Sequence, residues 1–160
     1  MRDLLNIIKY KLLWLNVTFV IITIILSFYN YKIASLTFVL LSNLFDILGY
    51  HFTLVRRTTH LPEQIIIRSY RINQLLFDLL LLILIGFLFD WIAALAGWIM
   101  KNFGLQDVFY YLFLQMKLPE KWTWMKWTPL GFFKGDLFKK EIILQAIIGV
   151  VIAGVLLILR

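Results

Sequence analysis

Residues 79–100 form an almost unbroken apolar run, bounded by Asp78 and Lys101. Crossing the hydrocarbon core of a bilayer takes about 20 predominantly apolar residues, so the run is long enough. Its only charge is Asp90, near its middle. A carboxyl at that depth is costly in lipid and is expected to face protein or a water-filled cavity. Three further apolar runs, 12–28, 33–50 and 142–159, extend the pattern. The sequence therefore predicts an all-α integral membrane protein in a single transmembrane domain, 1–160, with four transmembrane helices in two antiparallel pairs. The apolar stretch of about a dozen residues after Gly104 is too short to span. It predicts an interfacial or re-entrant helix between the third and fourth spans.

Composition agrees. The chain is 62% hydrophobic, against about 45–50% in soluble domains. With no cysteine, disulfides, thiolate metal sites and cysteine nucleophiles are excluded. The net charge of +7 fits loops beside anionic lipid headgroups. Nucleic acid is not expected as a partner, because no recognition motif accompanies the charge. The first apolar run follows Arg2, Lys9 and Lys11, as a signal peptide would. It lacks a small-x-small cleavage site, however, and Ser27-Phe28-Tyr29-Asn30 does not replace one, so it reads as a retained span.

Along the first span, Asn16, Thr23 and Ser27 fall on one helical face, which should look inward. Tyr29-Asn30-Tyr31-Lys32 is a tight connection whose tyrosines suit the headgroup level. Ser35, Ser42, Asn43, Asp46 and Tyr50 give the second span a polar stripe. The loop 51–74 is basic and lipid-facing, with Arg56, Arg57, Arg68 and Arg71 against one acid, Glu63. Pro62 and Glu63 mark a helix start within it. In the third span Gly86, Asp90, Ala93, Ala94 and Gly97 share a face. Small residues let helices approach closely in lipid, and the fourth span offers Gln145, Ala146, Gly149 and Ala153 in return. The two spans are expected to pack together, with Asp90 in or beside the contact. In the loop 101–141, Trp122, Trp124 and Trp127 stand among lysines and are expected in the interfacial aromatic belt. Gly131 and Gly135 punctuate the approach to the last span, with Asp136 as its expected N-cap.

Four spans place both termini on the same side. Basic residues divide evenly between the two sides, but Arg2, Lys9 and Lys11 precede the first hairpin and only Lys32 follows it. This favours a cytoplasmic N-terminus.

Two constellations could carry chemistry. Asp46 and Asp78 flank a loop holding His51 and His60, a donor set suited to a divalent metal that would activate water or polarise a phosphate ester. No spacing among them matches a known ligand motif. Asp90, with Asn43 and Gln145 as further intramembrane polar residues, is the candidate proton or cation site. No cofactor is expected: the two histidines are too close in sequence to face each other across a haem, and no phosphate-cradling glycine loop or nucleophile elbow is present. Arg71 followed seven residues later by Asp78 at the opening of a span is similar to the start of the RDD membrane family, and Thr128-Pro129-Leu130-Gly131 resembles that family's later loop. Two spans precede the likeness here and Asp90 lies in the same span rather than the next, so no activity is carried over. The expected role is non-enzymatic: an accessory, structural or regulatory component of a membrane assembly, including an immunity-type protein. The expected partners are the lipid bilayer and a membrane protein or second copy. The alternatives are a transporter or channel component using Asp90, and a lipid enzyme using Asp46, Asp78, His51 and His60.

Overall fold

The computed structural model describes residues 11–50 and 63–159, with side chains over 13–50 and 70–159. The described chain is mostly helical: α1 (Lys11–Tyr29), a 3-10 turn (Tyr31–Ile33), α2 (Ala34–Asp46), α3 (Glu63–Leu88), α4 (Trp91–Asn102), α5 (Leu105–Phe113), α6 (Pro129–Lys134) and α7 (Lys139–Ile158). Two short strands, β1 (Lys121–Trp122) and β2 (Leu137–Phe138), pair antiparallel with Trp122 opposite Leu137. Three segments are long and apolar enough to cross a membrane, Tyr31–Tyr50, Tyr70–Leu88 and Lys139–Ile158, and Leu13–Tyr29 is a shorter apolar helix.

The bundle buries many polar side chains among its apolar clusters and is apolar outside. Asn16, Thr23, Ser27, Thr37, Ser42, Asn43 and Gln145 are buried, while Phe19, Ile22, Leu76, Leu80, Ile147 and Val151 are exposed. Such a distribution suits a lipid surround. Asn16, Thr23 and Ser27 look inward from α1, and the Ser27 and Thr37 hydroxyls hydrogen-bond at 3.1 Å, tying α1 to α2. Between them Asn30 caps the turn by accepting the Lys32 N–H.

The expected single span 79–100 is two helices. α3 ends at Leu88, and Asp90 starts α4 as its N-cap, with extended backbone and a side-chain oxygen accepting the Ala93 N–H at 2.9 Å. Gly86 makes the reversal tight: a Cβ there would run into the Trp91 indole. Asp90 therefore caps the start of α4 at the turn rather than lying within a continuous helix. The physical reason is that a carboxylate caps a helix start readily, and the turn satisfies it locally.

The reversal changes the topology. Leu13, Ile47, Phe113 and Leu114 share one apolar cluster, which defines a loop end. The opposite, turn end holds the contact of Phe28 with Phe89 (4.9 Å) and the packing of Leu157 around Ala34, Phe38, Ala93 and Ala94. α2 and α4 both run from the turn end toward the loop end, so they are parallel, with α3 carrying the chain back between them. α1 with α2, and α4 with α7, run antiparallel, and the break at Asp90 adds α3 as a further helix beside α4. The described ends of α1 and α7 also lie at opposite ends of the bundle, not at the same one.

α4 packs against α2, α3 and α7 with its small residues. Gly97 faces α2, where an added Cβ would sit 2.6 Å from the Ser35 carbonyl oxygen. Ala96 and Met100 cluster with Val39 of α2 and Ala153 of α7. Gly149 lies against Phe103, whose ring a Cβ would strike. The small-residue face is therefore shared between two partners, rather than given to the last helix alone.

The segment after α5 folds back at the loop end. Trp122 is fully buried with Met125, Leu137 and Ile142, so it is a core residue and not an interfacial one. Trp124 is partly buried, and Trp127 is 82% exposed. Thr128 caps α6, and Pro129 opens it. Asp136 does not cap α7: it pairs with Lys121 at 2.8 Å, which holds its carboxyl below the usual range. Glu141 instead accepts the Phe138 N–H at 2.9 Å.

Over-packing a well-filled contact costs about 1–3 kcal/mol or more. Gly97→Val is expected to lose at least that much in denaturant unfolding in detergent micelles. Gly154→Ala, whose Cβ meets nothing within 4 Å, should unfold like the parent chain.

Candidate functional site

The turn at Phe89–Asp90 places Asp78 on α3 opposite Lys101 on α4, equidistant from the reversal. The two residues that bound the long apolar run thus meet inside the bundle. Lys101 Nζ donates to Asp78 Oδ2, and both side chains are more than nine-tenths buried. Asp78 lies near the middle of the membrane-length segment Tyr70–Leu88. At 1.5 Å per residue it is about 15 Å along the helix axis from Leu88. Neither residue was expected there: Lys101 reads in sequence as the first residue of a loop.

Toward the loop end the polar interior continues. Asp46, at the end of α2, accepts from Tyr70 Oη at 2.8 Å and from Gln74 Nε2 at 2.9 Å, both on α3, and from Gln106 Nε2 on α5. The Lys101 ammonium attracts Asp46 as well as Asp107 of α5. Trp124 hydrogen-bonds to the Asp107 carboxyl through its side chain, and its carbonyl oxygen accepts from the Arg71 guanidinium. Arg71 also stands 5.8 Å from the centre of the Trp127 ring. The result is one charged cluster of three aspartates, one lysine and one arginine, assembled from α2, α3, α4 and α5. A groove of about 530 Å³ between α2 and α3, lined by Phe45, Gly49, Tyr70 and Phe77, opens beside Tyr70.

Of the residues expected at a site, Asp46 and Asp78 join this cluster but do not share a ligand position. Asp46 holds three donors, and Asp78 holds Lys101. Among the described residues no group of three potential ligands is placed to hold a metal ion. His51, His60, Arg56 and Arg57 lie outside the described residues, as does the side chain of Arg68. Asn43 is fully buried beside the cluster. Gln145 has a structural role: its Nε2 donates to the Phe103 carbonyl at 3.1 Å and its Oε1 accepts the Leu130 N–H at 2.9 Å, fastening α7 to the chain on both sides. Asp90 lies at the turn end, away from the cluster. Lys101, Gln106 and Asp107 are the members that sequence reasoning missed. Their signal is the equal spacing of Asp78 and Lys101 about a residue able to cap a helix.

Comparison with family models, with characterised proteins and with solved structures finds no match. The likeness of Arg71 and Asp78 to the RDD family therefore carries no assignment.

Removing one partner of a buried ion pair leaves an uncompensated charge and costs about 3–5 kcal/mol. Asp78→Ala is expected to fall in that range, whereas Asp90→Ala should lose about 1 kcal/mol as a lost cap. The pair Asp78→Leu with Lys101→Met should recover most of the single-variant loss in a double-mutant cycle.

Proposed function

We propose that the chain is a multi-pass membrane protein that acts through the buried aspartate–lysine cluster, as the proton- or cation-binding component of a transport or channel assembly. The observation that carries this reading is the Asp78–Lys101 pair near the middle of a membrane-length helix. A buried ion pair is a poor source of stability, since apolar residues of like volume serve as well or better. Ionisable side chains that face a bundle interior at membrane depth mark ion pathways and proton relays. The charge-binding role expected of Asp90 thus passes to Asp78, Lys101, Asp46 and Asp107.

In this reading α1, α2, α3 and α7 cross the membrane, and α4 with α5 returns the chain as a broken crossing. Arg71 and the lysines between 117 and 140 stand at the loop end with the start of α1 at Lys11, while Lys32 stands at the turn end. Positive charge gathers on the cytoplasmic side, so the loop end is cytoplasmic and the end of α7 is on the far side. The tie seen with four spans disappears because the reversal at Asp90 moves the 117–140 lysines to the other side. The absence of cysteine makes single-cysteine labelling clean. An impermeant maleimide should label Asn30→Cys from outside intact cells and Lys126→Cys only after the membrane is opened.

A second reading keeps the chain as an accessory or regulatory subunit, including an immunity-type protein, without transport of its own. The exposed Trp127, Phe132 and Phe133 beside α6 favour it, as a surface for a neighbouring membrane protein. A hydrolytic role is less supported, because Asp46 and Asp78 are engaged by different partners.

The chain reconstituted alone into liposomes, with a pH-reporting dye inside and an imposed potential, tests the leading reading. Uptake above empty liposomes, at least tenfold lower in a folded Asp78→Asn variant and unchanged in Asp90→Asn, is expected. Parent-like uptake in Asp78→Asn, or none in the parent, refutes it. Stoichiometric partner proteins in a gentle-detergent pull-down together with no uptake would favour the subunit reading.

A further inference from the structure

Among the described residues, five polar atoms inside the helices near the cluster have no hydrogen-bond partner: both amide atoms of Asn16, both of Asn43, and the Ser42 hydroxyl. Asp78 Oδ1, the oxygen not held by Lys101, is a sixth. Asn16 and Asn43 are wholly buried. Each is bracketed along its helix by members of one apolar cluster, Leu13 and Val20 on α1, Leu40 and Ile47 on α2. Next to Asn43, the Ser42 carbonyl accepts Gln106 Nε2 at 3.5 Å, and the same Gln106 donates to Asp46. Asn16 and Asn43 thus sit among the apolar residues between α1 and α2, and the Ser42 carbonyl beside Asn43 is linked through Gln106 to Asp46 of the cluster.

The kind of atom left over identifies what answers it. Each asparagine presents a donor and an acceptor. A metal cation would answer the oxygens and be repelled by the amide N–H groups. Water donates and accepts, and buried waters make about three hydrogen bonds to such groups. Asp46, already accepting from Tyr70, Gln74 and Gln106, has little capacity left for a metal.

We propose that a chain of internal waters runs along Asn16, Asn43 and Ser42 to the cluster, and that the species it delivers is the proton. This rests on the cluster being a charge-binding site. A proton arriving on Asp78 Oδ1 turns the carboxylate into a neutral acid. Lys101 keeps its own proton and charge but loses its counter-ion, and departure of the proton restores the pair. Lys101 from α4 and Tyr70 from α3 act on Asp78 directly, and Lys101 also acts on Asp46 from α2 and Asp107 from α5.

Water-edited solid-state NMR on the full chain in lipid vesicles, with asparagine side chains labelled, tests the water chain directly. Transfer from water to the Asn16 and Asn43 amides should be as fast as to Asn102, which lies near the bundle surface. Transfer as slow as to the backbone of buried Ala93 overturns the proposal, whether or not Asp78-dependent uptake is found. In liposomes, Asn16→Leu with Asn43→Leu should slow proton uptake at least tenfold, and Asn43→Ser, which keeps a donor and an acceptor, should retain it. Uptake of radiolabelled sodium through Asp78 overturns the proton assignment. Hydrated amides with no Asp78-dependent uptake at all sink the transport reading and leave the waters in place.

Discussion

The middle of this chain is organised by the reversal at Phe89–Asp90, where the Asp90 carboxylate accepts the Ala93 N–H. The cap satisfies the first turn of α4 at the point where the apolar run breaks. With it, and with Gly86 clearing space for Trp91, the run folds on itself. Asp78 and Lys101 are then drawn together from its two ends. The parallel course of α2 and α4, the central place of α4 and the arrival of α5 beside Asp46 all follow from that reversal.

Alongside its apolar clusters the interior of the bundle holds many polar side chains that a soluble protein would more often put outside. Helix association in lipid relies on close backbone approach and on polar contacts, because lipid tails are as apolar as leucine. Both devices are present. Gly97 and Gly149 admit Phe38 and Phe103, and Ser27, Thr37 and Gln145 join helices by hydrogen bonds. The charged cluster differs from these in kind. It gathers five ionisable groups from four helices, far more than is needed to hold neighbours together, and that excess is the argument for a role beyond packing.

Much of this was legible from residue spacing. The inward face of Asn16, Thr23 and Ser27, the turn at Asn30, and the small-residue faces of α4 and α7 follow from helical periodicity, and the structure places them so. The reversal at Asp90 was not legible from hydropathy, since a hairpin and a span have the same apolar content. An aspartate in such a run has two ways to be satisfied, by burial against protein or by capping a helix, and local composition does not choose between them. Lys101 and Gln106 were missed for the same reason: their place depends on the turn. Trp122 was misread because tryptophans beside lysines look alike in a headgroup belt and in a small core. The strand pair that buries Trp122 is only two residues a side.

The α3–α4 hairpin also constrains how the protein can be made. α4 has only 12 residues and carries Lys101 in its last turn, so in the proposed topology it is a poor candidate to enter a bilayer alone. Its charge becomes tolerable once Asp78 is alongside, which requires α3 to be present already. The two helices therefore enter most cheaply as a unit, with the reversal formed before the membrane is reached or while the insertion machinery still shields it. α7 emerges from the ribosome after α4, and until it docks, Ala96 and Met100 have no cover on that side. In the proposed topology, assembly is thus ordered by the chain's own electrostatics, and a chaperone or insertase able to hold α4 in the interval would act at the step where the chain is most exposed to a wrong topology.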